Sequence, residues 1–296
     1  MARSTILITT PTGNVGSETL KALHRRPERP AFRVVAAVRD PTKSLAGVAA
    51  LVDAVVQFDF SDPGTFEAAL AGVSHVLLVR PPELADVDLY FRPFIDAMRR
   101  AEVQQVVFLS LQGVESNSVT PHHKIEKLIT KSGLPFTFLR PSFFMQNLST
   151  IHRAEIAQRN ELYIPAGNGR TSFVDVADIG EVAALVLTDQ TDKYLNQSYE
   201  LTGNEALTYT KVASQLTTVL HRRITYRNPS VPAFIWQKWQ REKMSLSFTL
   251  IMVALYTVAK LGKAAGLTPV FLELTGHAPR TFRQFAEANR AVWEKR

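Results

Sequence analysis

Gly13 and Gly16 lie three apart, between an apolar run (ILITT, 6–10) and a helical run (SETLKALHRR, 17–26). A strand that breaks into a Gly-rich turn and enters a helix brings backbone N–H groups together at the positive end of the helix, where a phosphate can bind. The glycines serve sterically: one lets the backbone approach a pyrophosphate, the other lets helix and strand lie close. The amides around Asn14, Val15 and Gly16 are those expected to face the phosphates. Thr10 stands where a first glycine of such a loop is expected. A β-branched residue tolerates positive φ poorly, so the first turn is expected to follow another path than glycine's.

Arg39 closes the second apolar run, FRVVAAVRDP (32–41). An acidic residue at such a strand end binds the ribose 2′-hydroxyl of NAD, whereas an arginine accommodates the 2′-phosphate of NADP. Asp40, one residue on, can also serve the NAD role. With the loop some twenty residues upstream, NADP is favoured.

These residues need a scaffold. Short apolar runs at 5–9, 33–38, 54–60, 75–80, 104–111 and 136–140 alternate with helical candidates near 15–26, 63–71, 86–101 and 121–132. Nearly continuous apolar strands are those covered on both faces. Asp62 and Pro63 predict a helix start, Gly72 and Gly133 helix stops. The pattern predicts an α/β fold, a Rossmann-type doubly wound parallel sheet. Beyond Phe143 the pattern loosens. SFVDVADIGEVAALVLTD (172–189) reads as strand then helix, SYELTG (198–203) and RITYRN (223–228) as strands around a helix, and the remainder as helical. The predicted division is 1–148 as the cofactor-binding core and 149–296 as a smaller C-terminal α+β substrate lobe. Some of its segments are expected to return to the core, and the lobe to cover the sheet's C-terminal edge.

Composition narrows the classes. An apolar fraction of 46% and a charged fraction of 21% suit an ordinary globular protein. The absence of cysteine excludes disulfides, thiolate catalysis and sulfur-based metal sites, and fits a cytoplasmic protein. Because a strand is predicted almost at the first residue given, no signal peptide is expected. The apolar run 244–259 is shorter than a membrane span and is expected to be a buried helix. The net charge of +7 is dispersed in pairs such as Arg25–Arg26 and Arg99–Arg100. This argues for a solvated surface and against nucleic acid as partner. The expected partner is a small molecule, with neither nucleic acid nor membrane; a homodimer is compatible.

The chain resembles the NmrA-like atypical short-chain dehydrogenases/reductases, a group that includes NADPH-dependent quinone reductases and triphenylmethane reductase. The resemblance rests on ITTPTGNVG (8–16), VRDP (38–41), FDFSDPGTFEAALAGVSHVLLVRPP (58–82), SGLPFTFLRPSFFMQNL (132–148), FVDVADIG (173–180) and LTGHAPRTFRQF (274–285). It implies NADP(H) as cofactor. Thr12–Gly16 would hold the pyrophosphate, Arg39 the 2′-phosphate, and Asp59 and Phe60 the adenine side; Thr10, where the family has glycine, is a further cofactor-binding candidate whose hydroxyl can bond locally or to phosphate. Val79, Arg80, Ser110 and His122 would lie toward the nicotinamide ribose, with Pro141, Ser142 and Phe143 beside the nicotinamide.

The family's usual proton relay is a Ser with a Y-x-x-x-K pair, the Lys lowering the Tyr pKa. Glu126 resembles the family Glu four residues after that lysine. The alignment places His122 at the Lys position, Ser118 at the Tyr position and Gln112 at the Ser position. His122 is therefore the candidate catalytic residue, binding ribose or substrate and shuttling protons; adjacent His123 is expected on the surface. The resemblance implies an NADPH-dependent oxidoreductase passing hydride to a flat quinone-like, conjugated aromatic or enone molecule. The competing reading is a non-catalytic NADP(H) sensor that regulates a protein partner. Phe143, Phe144 and Met145, with helix 245–259, are candidates to line the substrate pocket or simply to form core.

Overall fold

The computed structural model describes residues 3–43, 45 and 47–294. The sequence places a division after residue 148. The compact units of the structure are Met1–Pro141 with Val176–Leu201, and Ser142–Asp175 with Thr202–Arg296.

The first unit is built on seven parallel strands: β1 (Ser4–Thr9), β2 (Phe32–Val38), β3 (Ala54–Gln57), β4 (His75–Val79), β5 (Gln105–Leu109), β6 (Phe136–Pro141) and β7 (Gln197–Leu201). Their spatial order is β7-β6-β5-β4-β1-β2-β3, so the direction of winding reverses between β1 and β4. The helices are α1 (Asn14–Arg25), α2 (Phe66–Leu70), α3 (Val87–Tyr90), α4 (Arg92–Arg100), α5 (Pro121–Ser132) and α6 (Val176–Leu187). Successive strand residues point to opposite faces. Leu7, Val35, Val76, Leu78 and Phe108 join the side chains of α2, α4 and α5 in one core. The intervening Ile6, Ile8, Val34, Leu77 and Val107 are equally buried, on the face where α6 meets β4, β5 and β6. This two-sided burial is why the strands read as unbroken apolar runs.

Helices α1 and α6 lie in close contact because α6 carries Gly180. A Cβ there would come within 2.6 Å of the Glu18 carbonyl carbon and 2.7 Å of the Thr19 amide nitrogen. The run 86–101, expected as one helix, is two: α3 ends at Tyr90, and Pro93 falls in the first turn of α4, where it removes no needed donor.

The second unit has a three-stranded sheet, with Arg170–Val174 between Ala206–Thr208 and Phe143–Phe144, and a parallel pair, Glu161–Tyr163 with Thr225–Arg227. Helices Tyr209–Leu220, Leu246–Lys260 and Phe282–Ala288 close around a core that contains Met145, Met252, Tyr256 and Trp293. The expectation of a buried helix at 245–259 is corrected: Thr249, Met252, Tyr256 and Ala259 are buried, but Leu250, Ile251, Leu255 and Val258 face solvent, because only one side of this helix has a partner. Among the described residues no helix is long and apolar enough to cross a membrane.

An ionic network runs through this unit, with His152, Glu155, Lys238 and Tyr256 buried and Glu242 at its partly exposed edge. His152 joins the Glu155 carboxylate through Nδ1 (2.6 Å) and the Tyr256 hydroxyl through Nε2 (2.6 Å). Lys238 Nζ donates to Glu155 at 2.5 Å and to Glu242 at 2.9 Å. Burial alone would raise the Glu155 pKa, but the partners His152 and Lys238 outweigh it and hold the carboxyl below its ordinary value. Glu155 and Lys238 both lie in π-helical segments, Glu155–Arg159 and Trp236–Arg241.

Candidate cofactor site

The winding reversal between β1 and β4 opens a crevice at their C-terminal ends, the usual ligand position in open α/β sheets. Thr9 pins the two strands there: its hydroxyl donates to the Leu77 carbonyl (2.9 Å) and accepts from the Val79 amide (2.9 Å). The loops that leave β1 and β4 thus start from one fixed point.

From Thr9 the chain turns through Thr10 and Pro11 into α1. Thr10 corrects the expectation of another path: its φ is +49°, the left-handed conformation glycine would adopt. The turn is closed by the Gly13 amide donating to the Thr10 carbonyl at 3.0 Å. That carbonyl leaves no space beneath α1. A Cβ on Gly16 would lie 2.2 Å from it, so tight closure and Gly16 require each other. Gly13 caps α1 without any side-chain hydrogen bond, and the first turn holds no acidic residue. The amides of Asn14, Val15 and Gly16 begin the helix and have no intrahelical acceptor. Thr12 and Asn14 are exposed beside them, while Val15 is buried.

Arg39 follows the last residue of β2, is exposed, and makes no hydrogen bond or ion pair among the described residues. Asp40 is engaged elsewhere. Its Oδ1 accepts from the Thr42 amide (3.0 Å) and hydroxyl (2.6 Å), and Lys43 lies 3.4 Å from Oδ2. The Thr42 bonds, with Lys43, hold its pKa below the ordinary carboxylate value. Arg39 is therefore the residue at this strand end left open to an anion. The Asp59 carboxylate accepts from the Ser61 amide (2.8 Å). The Phe60 ring is committed to the core, 4.7 Å from Phe58 and 4.9 Å from Phe91, which leaves its backbone for any ligand.

Val79, half-buried, ends β4. Arg80 folds back on its own loop: Nη1 donates to the carbonyls of Pro81 (2.9 Å), Pro82 (3.1 Å) and Leu84 (3.0 Å). Its Nε is buried without a partner. Burial depresses its pKa, with Glu83 acting the other way. Ser110, at the end of β5, donates its amide to Leu139 (2.8 Å) and has a buried hydroxyl with no partner.

Helix α5 starts with Thr120 as cap and Pro121 in first position, which puts His122 in its first turn. Burial, then the charge on Arg80, pushes the His122 pKa down to about 3. The imidazole is neutral at pH 7: it can donate one N–H but holds no imidazolium proton. The expectation for His123 is corrected. It is half-buried, with Nδ1 3.0 Å from the Val114 carbonyl, because the loop before α5 folds over it. Ser118 is exposed, and Gln112 donates to Glu200 (3.2 Å).

Sequence reasoning missed what holds α5 in place. Arg140 on β6 makes a two-pronged bridge to Glu126 on α5, Nε to Oε1 at 3.0 Å and Nη2 to Oε2 at 2.7 Å, and reaches Glu115 at 2.6 Å. Burial would lower the Arg140 pKa, but the two carboxylates raise it. The available signal was Arg140, the single charge in the apolar strand segment TFLRP; Glu126, between Lys124 and Lys127 in KIEKLI, does not stand out. Pro141 ends β6 in the first unit. In the second unit, Ser142 donates its hydroxyl to Ser172 O (2.6 Å), and Phe143 pairs with Phe173.

A doubly wound sheet with an uncapped Gly-turn at its switch point defines a dinucleotide-binding α/β protein. The chain belongs to the NmrA-like family, whose pattern matches residues 2–264. It is 31% identical over 295 residues to an NAD(P)H azoreductase of Xenophilus azovorans, covering 97% of this chain and 99% of that one. The structure of an NADPH-dependent quinone oxidoreductase of Escherichia coli, complexed with NADPH, superposes with a TM-score of 0.83 at 25% identity, over 96% of this chain and 99% of that one. Triphenylmethane reductase of Citrobacter shares the fold, with a TM-score of 0.83 at 22% identity over 97% and 99% of the two chains.

Proposed function

We propose that the protein is an NADPH-dependent oxidoreductase that passes hydride to a quinone-like or conjugated aromatic or enone molecule. The observation that carries it is Arg39, exposed and without an ion pair among the described residues, just after β2, the strand beside β1, while Asp40 is tied into its own turn. The azoreductase and quinone oxidoreductase among its relatives support the substrate class.

Bound NADPH would supply the hydride from its nicotinamide. The amides of Asn14–Gly16 hold phosphate, and Arg39 holds the 2′-phosphate with a charge-assisted contact. His122 offers a neutral N–H to the ribose or substrate. With Ser118 and Gln112 at the relay positions there is no Tyr–Lys acid, and His122 is not protonated at neutral pH. The fitting acceptors are those that stabilise the added electron pair themselves, as quinones and conjugated cations do, with the protein contributing orientation.

The test is titration with NADPH and NADH, followed by loss of NADPH absorbance against a panel of quinones, azo dyes and enones. Binding without turnover across the panel would favour a sensor over an enzyme.

A further inference from the structure

We infer that Thr10 is a phosphate ligand in its own right: its hydroxyl donates to the cofactor pyrophosphate, from a backbone conformation that the free protein holds under strain. The inference rests on the NADP(H) reading above.

Two features of Thr10 are unfavourable in the free chain. The first is its backbone. At φ +49° it is a β-branched residue in the left-handed region, a true outlier for its type. It also precedes Pro11, and a proline pushes the residue before it toward extended conformations. The other described non-glycine residues with positive φ, Asn160 and His221 at helix ends among them, are all unbranched at Cβ. Glycine would occupy the position freely.

The second is the hydroxyl. Oγ1 is buried and has no hydrogen-bond partner among the described residues. Its neighbours show what a threonine here ordinarily does: Thr9 donates to Leu77 O and Thr19 to Val15 O, each at 2.9 Å. Thr10 finds no such carbonyl. Instead the hydroxyl stands against the cap of α1, where a Cβ built on Gly13 would lie 3.8 Å from it. An unmet donor beside uncapped amides matches an anion, and a backbone outlier that the turn and Gly16 hold in place at that spot points to function.

The experiment compares wild type with Thr10→Val, Thr10→Ser and Thr10→Gly, by calorimetric titration with NADPH and by thermal unfolding of cofactor-free protein. Val keeps the shape and removes the donor, so NADPH affinity falls on the order of tenfold, while Ser stays within about twofold of wild type. Gly loses affinity like Val but raises the melting temperature of the free protein by about 2–4 °C. Val or Gly binding NADPH as tightly as wild type overturns the inference, as does a Gly variant that melts lower. Should Val fail to fold, Ser and Gly carry the comparison. Wild type that does not bind NADPH would remove the cofactor reading itself, a result distinct from equal binding by all four proteins.

Discussion

The Arg140 guanidinium grips the Glu126 carboxylate with two bonds, both residues almost fully buried, and this fixes the helix that carries His122 to the sheet strand beside it. A buried pair of this kind is held by its geometry. Removing Glu126 leaves the buried Arg140 held only by Glu115, whose side chain is largely exposed. Glu126→Ala is expected to destabilise the protein by about 3 kcal/mol or more, read from the urea midpoint at unchanged slope. Arg140→Lys should recover little, because an ammonium cannot make both bonds. The double variant should cost less than the sum of the singles, since the pair acts as one unit.

His122 has a folded pKa of about 3 against an ordinary 6.5, so the unfolded chain takes up its proton first as pH falls. Its contribution to stability is complete above pH 6.5 and is lost progressively between about 6.5 and 3. His122→Gln should flatten this acid limb, and unfolding at pH 7 and pH 5 checks it. Turnover should show no ionisation of His122 between about pH 5 and 8. A His122-dependent limb near pH 6.5 in the kcat/KM profile would contradict the neutral imidazole.

On the proposed function, Arg39 and Asp40 are the residues expected to separate the two cofactors. Arg39→Glu should weaken NADPH by roughly 10- to 150-fold and NADH little, because a carboxylate repels a phosphate but accepts a ribose hydroxyl. Asp40→Ala should leave both affinities near wild type, since Asp40 serves its own turn. Equal losses for both cofactors in the Arg39 variant would mean that another residue reads the 2′ position.

Gly16 and Gly180 are steric requirements for the packing of the first part of α1, against the β1 turn and against α6. Each faces backbone closer than any real Cβ stands, so neither neighbour can rotate away. Gly180→Ala should cost about 1–3 kcal/mol through separation of α1 and α6, with a modest effect on NADPH. Gly16→Ala should cost a similar amount and also abolish tight NADPH binding, because the β1 turn itself must shift. Denaturation and titration of the two variants side by side distinguish these outcomes.

In the second unit, Lys238→Met should destabilise by about 1.5–3 kcal/mol by removing one partner of Glu155, which keeps His152 at 2.6 Å and Arg159 at 3.4 Å. Glu155, held below its ordinary pKa, contributes stability that is present above about pH 4.5 and is lost as pH falls through its folded value. The variant should therefore lose part of the wild-type acid sensitivity, measurable as the change in melting temperature between pH 7 and pH 4.

The strands and main helices of the first unit were legible because burial on both sheet faces writes an unbroken apolar run into the sequence, as in ILIT and VVFL. The neighbour of β6 was not. SYEL reads as a strand, but its place on the sheet edge depends on a long connection through the second unit, which leaves no local period. The turn at Gly13 and Gly16 and the strand-end position of Arg39 were legible by spacing. The conformation of Thr10 was not, since propensity argues against what Gly16 and the turn impose. The His123 tether, the Arg140 bridge and the His152–Glu155–Lys238 network join residues far apart in sequence or set by loop packing. A lone buried charge in an apolar stretch signals a need for a partner without naming it.

The two π-helical segments give that network a dependence on helical phase. Their backbone bonds skip five residues, as from the Asn160 amide to the Glu155 carbonyl and from the Glu242 amide to the Gln237 carbonyl. Each segment is in effect an α-helix with one residue inserted. Deleting a single residue from Trp236–Arg241 would restore ordinary winding and turn Lys238 by about 100° about the helix axis, carrying its ammonium away from Glu155. The charge pairing at the centre of this unit is thus encoded by segment length as much as by residue identity. A homologue one residue shorter there could keep every ionisable side chain and still be unable to join them.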